Sequence, residues 1–318
     1  MTPLTNHRWS VPQTILFATE VPANEIVFAF ALAQAEESHA KLILFHAYDT
    51  LVVSASETSG LRYYDYAAAA RSESKHLEPL AERARKAGVE CEIIVRQGLA
   101  PHLIVECAHE KKADRIVVGT RCPGTLGKIL LGSVAEEVLR ASEIPVCVVG
   151  PEVVNKLFQG YKIKTVLCAT SLRDSCFGSV ALATDVALQA GARLLLLHVM
   201  KPSESAEVLA SRTIEQIEED IKSLVPIEMR SQIVLEPMVV LGEPSEEILF
   251  QAKSQHVDLL VLGAQEASVV STITKHGVVY KVLAHSPCPV LTLSPAALAR
   301  VTKKIELEPG HPELVRSI

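Results

Sequence analysis

The sequence predicts an α/β protein made of two consecutive, doubly wound parallel-sheet domains. Hydrophobic residues make up 48% of the chain but aromatic residues only 4%, so the core must be aliphatic. Short aliphatic runs of this kind are typical of parallel strands that are buried on both faces. The runs alternate with segments of helical spacing, which indicates βαβ units. The whole succession then occurs a second time, which indicates a duplicated domain.

The first half contains five aliphatic runs that predict strands, separated by segments that predict helices. A long helical segment over residues 63–87 is followed by Gly88, a residue type that suits a helix C-terminus. Residues 48–62 are predicted to form a loop. The predicted strands are Gln13–Thr19, Lys41–Ala47, Val89–Arg96, Ile116–Gly119 and Val146–Val149, and the other predicted helices are Asn24–Ser38, Pro101–Lys112 and one that begins near Ser133.

The second half repeats the landmarks of the first at offsets of 144 to 152 residues. The repeated landmarks include both central strands, the aspartate that precedes the fourth strand, and the proline that precedes the last strand. Because internal repetition of this length is too long for a solenoid, it indicates a second copy of the same domain. The matching pairs are Thr165–Thr170 with Thr14–Thr19, Ala192–His198 with Ala40–His46, Asp258–Gly263 with Asp114–Gly119, and Val290–Leu293 with Val146–Val149.

Glycine and proline interrupt the pattern between the two halves, at Gly150, Pro151 and Gly160. We therefore place a linker there and a loose tail at the charged, proline-containing end of the chain. The predicted units are a first domain, a linker, a second domain and a tail, over residues 1–150, 151–162, 163–295 and 296–318.

Composition argues against several classes of function. The formal net charge of −6 gives no electrostatic footprint for nucleic acid or anionic lipid. Seven cysteines are scattered and form no Cys-x-x-Cys pair, which is typical of a reducing compartment and not of a disulfide scaffold or zinc site. No apolar run approaches the roughly 20 residues of a membrane helix. We expect a cytoplasmic protein that binds neither nucleic acid nor membrane.

The stretch from Arg115 to Gly150 carries the pattern that points most directly to a ligand. It predicts a buried strand that ends at Gly119, a glycine-bearing loop, and a helix that begins near Ser133. A helix start has unpaired N–H groups and partial positive charge, so it suits a phosphate. Glycine at position 132 lets the backbone approach that phosphate closely. Neither the P-loop pattern nor Gly-x-Gly-x-x-Gly occurs.

This stretch resembles the nucleotide-binding segment of the universal stress protein family, whose pattern is Gly-x2-Gly-x9-Gly-Ser/Thr. The four positions hold Gly119, Cys122, Gly132 and Ser133, so a cysteine replaces the second glycine. Both halves of the chain resemble the family, and the resemblance covers nearly everything outside the two ends. The flanking matches are Asp114, the run Leu130-Leu131-Gly132-Ser133-Val134-Ala135, and Ile144-Pro145-Val146.

The resemblance implies a five-stranded, Rossmann-like parallel sheet in each half and an adenine nucleotide as ligand, with ATP and Mg²⁺ as the candidates. Nucleotides on such sheets bind beyond the carboxyl ends of the strands, at the switch point between strands 1 and 4. Glu20 and Gly119 are therefore expected on opposite lips of one crevice, with Glu20 where the family commonly has an adenine-recognising aspartate. The candidate binding residues are Glu20, Gly119, Cys122, Gly132, Ser133 and Val134.

Each candidate also has a structural alternative. Glu20 has the alternative of an acid at a helix start, where the dipole favours it. Gly119 and Gly132 have the alternative of turn residues, and Ser133 that of an N-cap. Cys122 is either a redox-sensing thiol or a plain substitution that blocks the site. Two loop cations, Arg121 and Lys128, either steer a triphosphate or are simply solvated.

His46 and His198 recur at the end of the second strand of each half. A recurring histidine suggests metal binding or acid–base chemistry, but neither has further ligands at metal-binding spacing. A metal needs several convergent ligands, so we favour a structural role and predict no metal site.

The second half departs further from the family pattern. Ser171 stands at the position of Glu20, Glu266 at that of Cys122, His276 at that of Gly132, and Gly277 at that of Ser133. A carboxylate at position 266 would repel phosphate. We therefore expect nucleotide in the first half only.

The leading interpretation is a tandem universal stress protein, a cytosolic stress-response and regulatory module that is not an enzyme. The sequence lacks the signatures of ATP pyrophosphatases and nucleotidyl transferases and shows no nucleophile–base pair. The alternative is a nucleotide-free interaction scaffold of the same fold, and the protein partner is not identified by the sequence. We expect the last strands of the halves to pair as an intramolecular pseudo-dimer, because an exposed apolar edge strand invites aggregation. A further homodimer of the whole chain stays open.

Overall fold

The structure is a computed structural model that describes residues 11–48, 66–120, 131–153, 161–172, 177–203, 205, 211–263, 277–294 and 296–297. In the first half the elements are β1 (Thr14–Ala18), α1 (Glu25–Ser38), β2 (Lys41–Tyr48), α2 (Tyr66–Lys86), β3 (Cys91–Gln97), α3 (Ala100–Glu110), β4 (Arg115–Gly119), α4 (Ser133–Ala141) and β5 (Val146–Val149). In the second half they are β6 (Thr165–Thr170), α5 (Phe177–Ala190), β7 (Arg193–Met200), α6 (Ile214–Ser223), α7 (Ile227–Arg230), β8 (Leu235–Leu241), α8 (Pro244–Ser254), β9 (Leu259–Gly263), α9 (Val278–His285) and β10 (Val290–Leu293).

The ten described strands form one sheet in the order β3-β2-β1-β4-β5-β10-β9-β6-β7-β8. Within each half every strand runs parallel to its neighbours. The chain adds β2 and β3 on one side of β1 and then β4 and β5 on the other, so the strand order switches at β1, as in other doubly wound sheets. The second half repeats this order. The predicted fold class is therefore confirmed, while the predicted domain bounds stay a prediction.

Strand bounds agree with the sequence prediction within a few residues, and the differences have local causes. The third strand begins at Cys91 because Val89 is used to close the preceding helix. Its N–H donates to Ala84 O at 3.0 Å, and Gly88 adopts a left-handed φ of +82°. This is the hydrogen-bonding pattern of a Schellman cap, which confirms the predicted role of that glycine. Tyr48, predicted to begin a loop, is the last residue of β2, and residues 49–65 lie outside the described part.

The two faces of the sheet are both covered by helices. Helices α1, α2, α5 and α6 pack with one set of strand side chains, and α3, α4, α8 and α9 pack with the other set. Successive residues of β1, such as Ile15 and Leu16, belong to opposite clusters, as the period of a strand requires. No helix in the described ranges has the length and apolar character needed to cross a bilayer.

The described cysteines are free thiols that pack as apolar side chains. Burial raises the pKa of Cys147 and Cys288 to about 12 and that of Cys91 and Cys107 to about 11. Thiols with such pKa values form little thiolate and are poor nucleophiles. Their placement agrees with the prediction that most of the cysteines serve as small hydrophobic residues.

The two halves join through β5 and β10, which pair in the antiparallel sense with Cys147 opposite Leu291. This confirms the expected pairing of the last strands. Thr292 Oγ1 donates to Val146 O at 3.0 Å across the same joint. At Gly150 a Cβ atom would lie 3.2 Å from Leu283 O, so the backbone of the second half approaches this glycine closely.

An aspartate before the fourth strand ties each half together at the amino ends of the strands. Asp114 Oδ2 accepts hydrogen bonds from the amides of Gln13 and Thr14 at 2.9 and 3.1 Å. Asp258 repeats both bonds at the entry to β6, at 2.8 and 3.0 Å. These repeated residues are therefore structural and lie away from the carboxyl ends of the strands.

We expect Asp114→Ala to lower the free energy of unfolding by about 2 kcal/mol, because two backbone amides lose a charged acceptor. Urea denaturation of the full chain measures the change. Glu228→Ala, which removes an exposed carboxylate, is the control and should change the value by less than about 0.5 kcal/mol. Equal stability of the Asp114→Ala variant and the wild type would contradict the structural role.

Candidate functional site

A cleft of about 470 Å³ opens at the carboxyl ends of the first-half strands, where β1 and β4 lie side by side. Its size falls within the range of small-molecule sites. Glu20 and Gly119, expected on opposite lips, both line it. The other described lining residues are Phe17, Ala18, Thr19, Pro22, Asn24, Val27, Phe45, Ala47, Ala100, Ile104, Val118, Thr120, Gly132, Ser133, Val134 and Ala135.

The lip after β1 is held by a histidine from β2. Thr19 N donates to Phe45 O at 2.9 Å, and His46 Nδ1 lies 2.9 Å from Thr19 O. A carbonyl oxygen only accepts, so Nδ1 must carry the proton in this bond. In the second half His198 Nδ1 makes the equivalent bond to Thr170 O at 3.0 Å. The recurring histidines therefore fix the ends of the central strands, as the structural interpretation predicted.

No group of three potential metal ligands occurs among the described residues. The hydrogen bonds above give the recurring histidines a role that requires no ion.

Glu20 is exposed on the β1 lip and is not an acid of a helix start. Helix α1 begins five residues later, at Glu25, and Asn24 is its N-cap. Asn24 Oδ1 accepts from the amides of Ile26 and Val27 at 3.0 and 3.3 Å. Because α1 is already capped and has its own first-turn acid, the helix-start alternative for Glu20 is wrong.

Gly119 ends β4 in a backbone conformation that does not need glycine, since its φ is not positive. A Cβ at this position would lie 2.9 Å from Val27 Cγ2, a distance that real Cβ atoms do not reach. Glycine is therefore required for α1 to pack closely on β4. The sequence did not suggest this packing role, and the phosphate approach that it did suggest for Gly119 stays a prediction.

Thr120, which sequence reasoning did not single out, follows Gly119 on the cleft wall. Its N–H donates to Val149 O at 3.1 Å, but its hydroxyl oxygen is buried and has no hydrogen-bond partner among the described residues. Buried polar groups are nearly always paired, so this hydroxyl has hydrogen-bonding capacity that a group in the cleft could use. The aligned residue in the second half is Ala264, which has no hydroxyl.

The opposite lip is the start of α4. Gly132 is its N-cap, with φ −64° and ψ 146°, and no side chain of the described residues caps the helix. Ser133 is the first helical residue, so the N-cap alternative for that serine is wrong. The first helical bond runs from Glu136 N to Gly132 O at 3.0 Å. The amides of Ser133, Val134 and Ala135 precede this bond, and all three residues line the cleft.

Several predicted residues lie outside the described part of the chain. They are Cys122, Arg121 and Lys128 in the first half and Glu266 and His276 in the second. The effect of Cys122 on the site therefore stays a prediction.

In the second half, Gly277 takes the place that Gly132 has in the first. It is the N-cap of α9, with φ −75° and ψ 154°, so α9 starts one residue later than the alignment on the proline predicted. Gly277, which aligns with Ser133 in sequence, is therefore the N-cap of α9 and not its first helical residue. Ser171 follows β6, where Glu20 follows β1 in the first half.

Comparison with known proteins identifies both halves. The model of the universal stress protein family matches residues 12–150 and again 162–294. The universal stress protein YxiE of Bacillus subtilis is 34% identical over 126 residues, which cover 37% of this chain and 85% of that protein. A universal stress protein of Thermus aquaticus is 29% identical over 137 residues, which cover 40% of this chain and 96% of that protein.

Among solved structures, a universal stress protein from Archaeoglobus fulgidus has the same fold across both halves. It aligns with a TM-score of 0.65 and 21% identity, over 90% of this chain and 97% of that protein.

We expect Gly119→Ala to lower the free energy of unfolding by about 2 kcal/mol, because the new methyl group overlaps Val27. Val27→Ala removes the atom that conflicts and itself costs about 2 kcal/mol through the cavity it leaves. Since each change relieves the other, the double variant should be about 1 kcal/mol more stable than the sum of the single effects predicts. Urea denaturation of the four proteins tests this. Strict additivity would show that the glycine is not kept for packing.

Proposed function

The chain belongs to the universal stress protein family, and from this membership we propose that its first half binds an adenine nucleotide and that the whole chain is a regulatory module. The observation that carries the proposal is the start of α4, where the amides of Ser133, Val134 and Ala135 have no hydrogen-bond partner among the described residues and border the cleft. A helix start of this kind, with its dipole, is suited to phosphate. ATP is the nucleotide we favour.

The charge distribution of the cleft supports this orientation. Among the described lining residues Glu20 is the only one with a charged side chain, and it lies on the lip opposite α4. The phosphates would therefore lie at α4, away from the carboxylate. Magnesium usually reaches such sites bound to phosphate oxygens, with few protein ligands, so it would arrive with the nucleotide.

The β1 side of the cleft suits the base. Apolar side chains, including Val27, Phe45 and Ile104, form much of the wall and can bury an aromatic ring. The exposed Glu20 carboxylate can accept a hydrogen bond from an exocyclic amino group. The unpaired Thr120 hydroxyl offers a further polar contact on the same wall.

The corresponding residues of the second half do not favour a nucleotide. Ser171 replaces the carboxylate at the β1 lip, and Ala264 replaces the unpaired hydroxyl. Glu266 adds a negative charge to the loop that would face phosphate, and His276 precedes the N-cap. We therefore assign the nucleotide to the first half only.

We expect calorimetry of the full chain to find one ATP site, which Gly132→Asp weakens roughly tenfold or more through charge repulsion. The N-cap dihedral angles at this position are open to aspartate, and aspartate is a favoured N-cap, so the helix should keep its stability. Gly277→Asp makes the same change at the equivalent cap of α9 and should leave affinity unchanged. Binding that survives Gly132→Asp but is lost on Gly277→Asp would place the site in the second half and contradict the proposal.

We also propose that the protein is not an enzyme. Phosphoryl transfer depends on positioned metal, cationic clamps and an oriented nucleophile. The α4 side of the cleft offers backbone amides and the Ser133 hydroxyl, and no cation lines the described cleft.

ATP turnover by the purified full chain should therefore be far below the rate of about one per second that typifies slow kinases. A coupled assay at steady state measures it. Hydrolysis near that rate, lost on Ser133→Ala, would show that the cleft is catalytic.

The alternative function is a nucleotide-free interaction scaffold, which Cys122 in place of the second family glycine favours. Nucleotide released on denaturing freshly purified protein would support the binding module, and its absence would support the scaffold. The protein partner, a further homodimer and a cytoplasmic location stay expectations from the sequence.

A further inference from the structure

The second half touches the first directly beside the candidate nucleotide site. Leu131 N donates to the hydroxyl oxygen of Tyr280, on α9, at 3.2 Å. Leu131 immediately precedes Gly132, the N-cap of α4, and each of the two residues that form the bond is only 5% exposed. The bond is therefore buried and shielded from competing water.

The helix that carries Tyr280 is held firmly against the first half. Leu283 O of the same helix lies close to Gly150, and the next strand, β10, pairs with β5. His285, the last residue of α9, lies 3.3 Å from a carboxylate oxygen of Glu152. Tyr280 therefore reaches Leu131 from a fixed support and not from a mobile segment.

The contact has no mirror image among the residues that the structure describes. The residue of the first half that aligns with Tyr280 is Glu136, whose carboxylate accepts instead from Arg140 of its own helix at 3.0 Å. The second half thus contacts the site of the first, and within the described ranges the first half makes no equivalent contact through that position.

We propose that Tyr280 is a positioning residue for the nucleotide site of the first half. The proposal rests on the function proposed above and deepens it, because it gives the second half a part in binding. Holding the Leu131 amide fixes the peptide that leads into Gly132. That orientation sets the direction of the amides of Ser133 and Val134, which would face phosphate.

A reciprocal effect follows from thermodynamic linkage. If the contact with Tyr280 strengthens nucleotide binding, nucleotide must strengthen the contact by the same factor. A ligand in the first half is therefore sensed by α9 in the second.

Two matched variants of the full chain test the proposal. Tyr280→Phe removes the hydroxyl and keeps the ring, and Thr292→Val removes another buried hydroxyl that joins the halves, at Val146 O. Each variant loses one hydrogen bond between the halves, so a general loss of stability should be similar in both. Only the first bond lies beside the site.

In calorimetry with ATP and Mg²⁺, Tyr280→Phe should weaken binding between about twofold and tenfold, the range of one buried hydrogen bond. Thr292→Val should leave the dissociation constant unchanged. Unchanged affinity of the Tyr280→Phe variant, or an equal loss in both variants, would overturn the proposal.

Hydrogen exchange without nucleotide gives a second, independent measurement. The amide of Glu136, whose bond to Gly132 O begins α4, should exchange faster in Tyr280→Phe and not in Thr292→Val. If the wild type binds no ATP, the proposed function fails, and exchange alone decides whether Tyr280 orders this helix start. Exchange that is the same in all three proteins would refute the positioning role.

Discussion

The backbone hydrogen bonds between β5 and β10 are the constraint on which the rest of this molecule depends. Both strands have four residues with buried side chains, and without its partner either strand would be an apolar edge of a sheet. Their antiparallel pairing moves the edges of the sheet outward to β3 and β8. There β3 carries Glu92 and Arg96 in ion pairs, and β8 contains Pro237, which cannot donate to a further strand. The sheet is thus apolar at its centre, and its edge strands carry residues that disfavour pairing with a further strand.

Duplication has kept the residues that hold the fold and changed those that line the cleft. The hydrogen bonds accepted by Asp114 and Asp258 have nearly the same lengths in the two halves. The same holds for the bonds made by His46 and His198. Around the cleft the halves differ in charge, in hydroxyl groups and in backbone register. A fold with two copies needs every structural tie twice, whereas a binding site is needed only once.

The sequence predicts the sheet well because its determinants are local. Aliphatic runs, the repeated aspartate and the Pro-Val pair mark the strands, and β5 and β10 have the predicted bounds. What could not be predicted depends on contacts between distant segments. Gly119 is explained by one methyl group of Val27 on another element, and nothing in its neighbourhood along the chain indicates that contact.

The site residues also divide into those that local sequence predicts and those that depend on distant contacts. The helix start near Ser133 was predicted, but the choice of Gly132 over Ser133 as the cap depends on backbone angles that either residue can adopt. The unpaired hydroxyl of Thr120 is a consequence of burial, and the bond from Leu131 to Tyr280 spans 149 residues. Periodicity carries no information on pairings at that distance along the chain.

Joining both copies of the last strand in one polypeptide also has a stoichiometric consequence. Two separate subunits of unlike sequence would sort into three kinds of pair, and the proportions would follow their concentrations. Here the strands meet within a single molecule, at an effective concentration set by the connection between them. The pairing of unlike strands is therefore built into each molecule, and the two halves do not dissociate on dilution. An asymmetric division of labour between two halves can then be inherited as a single gene product.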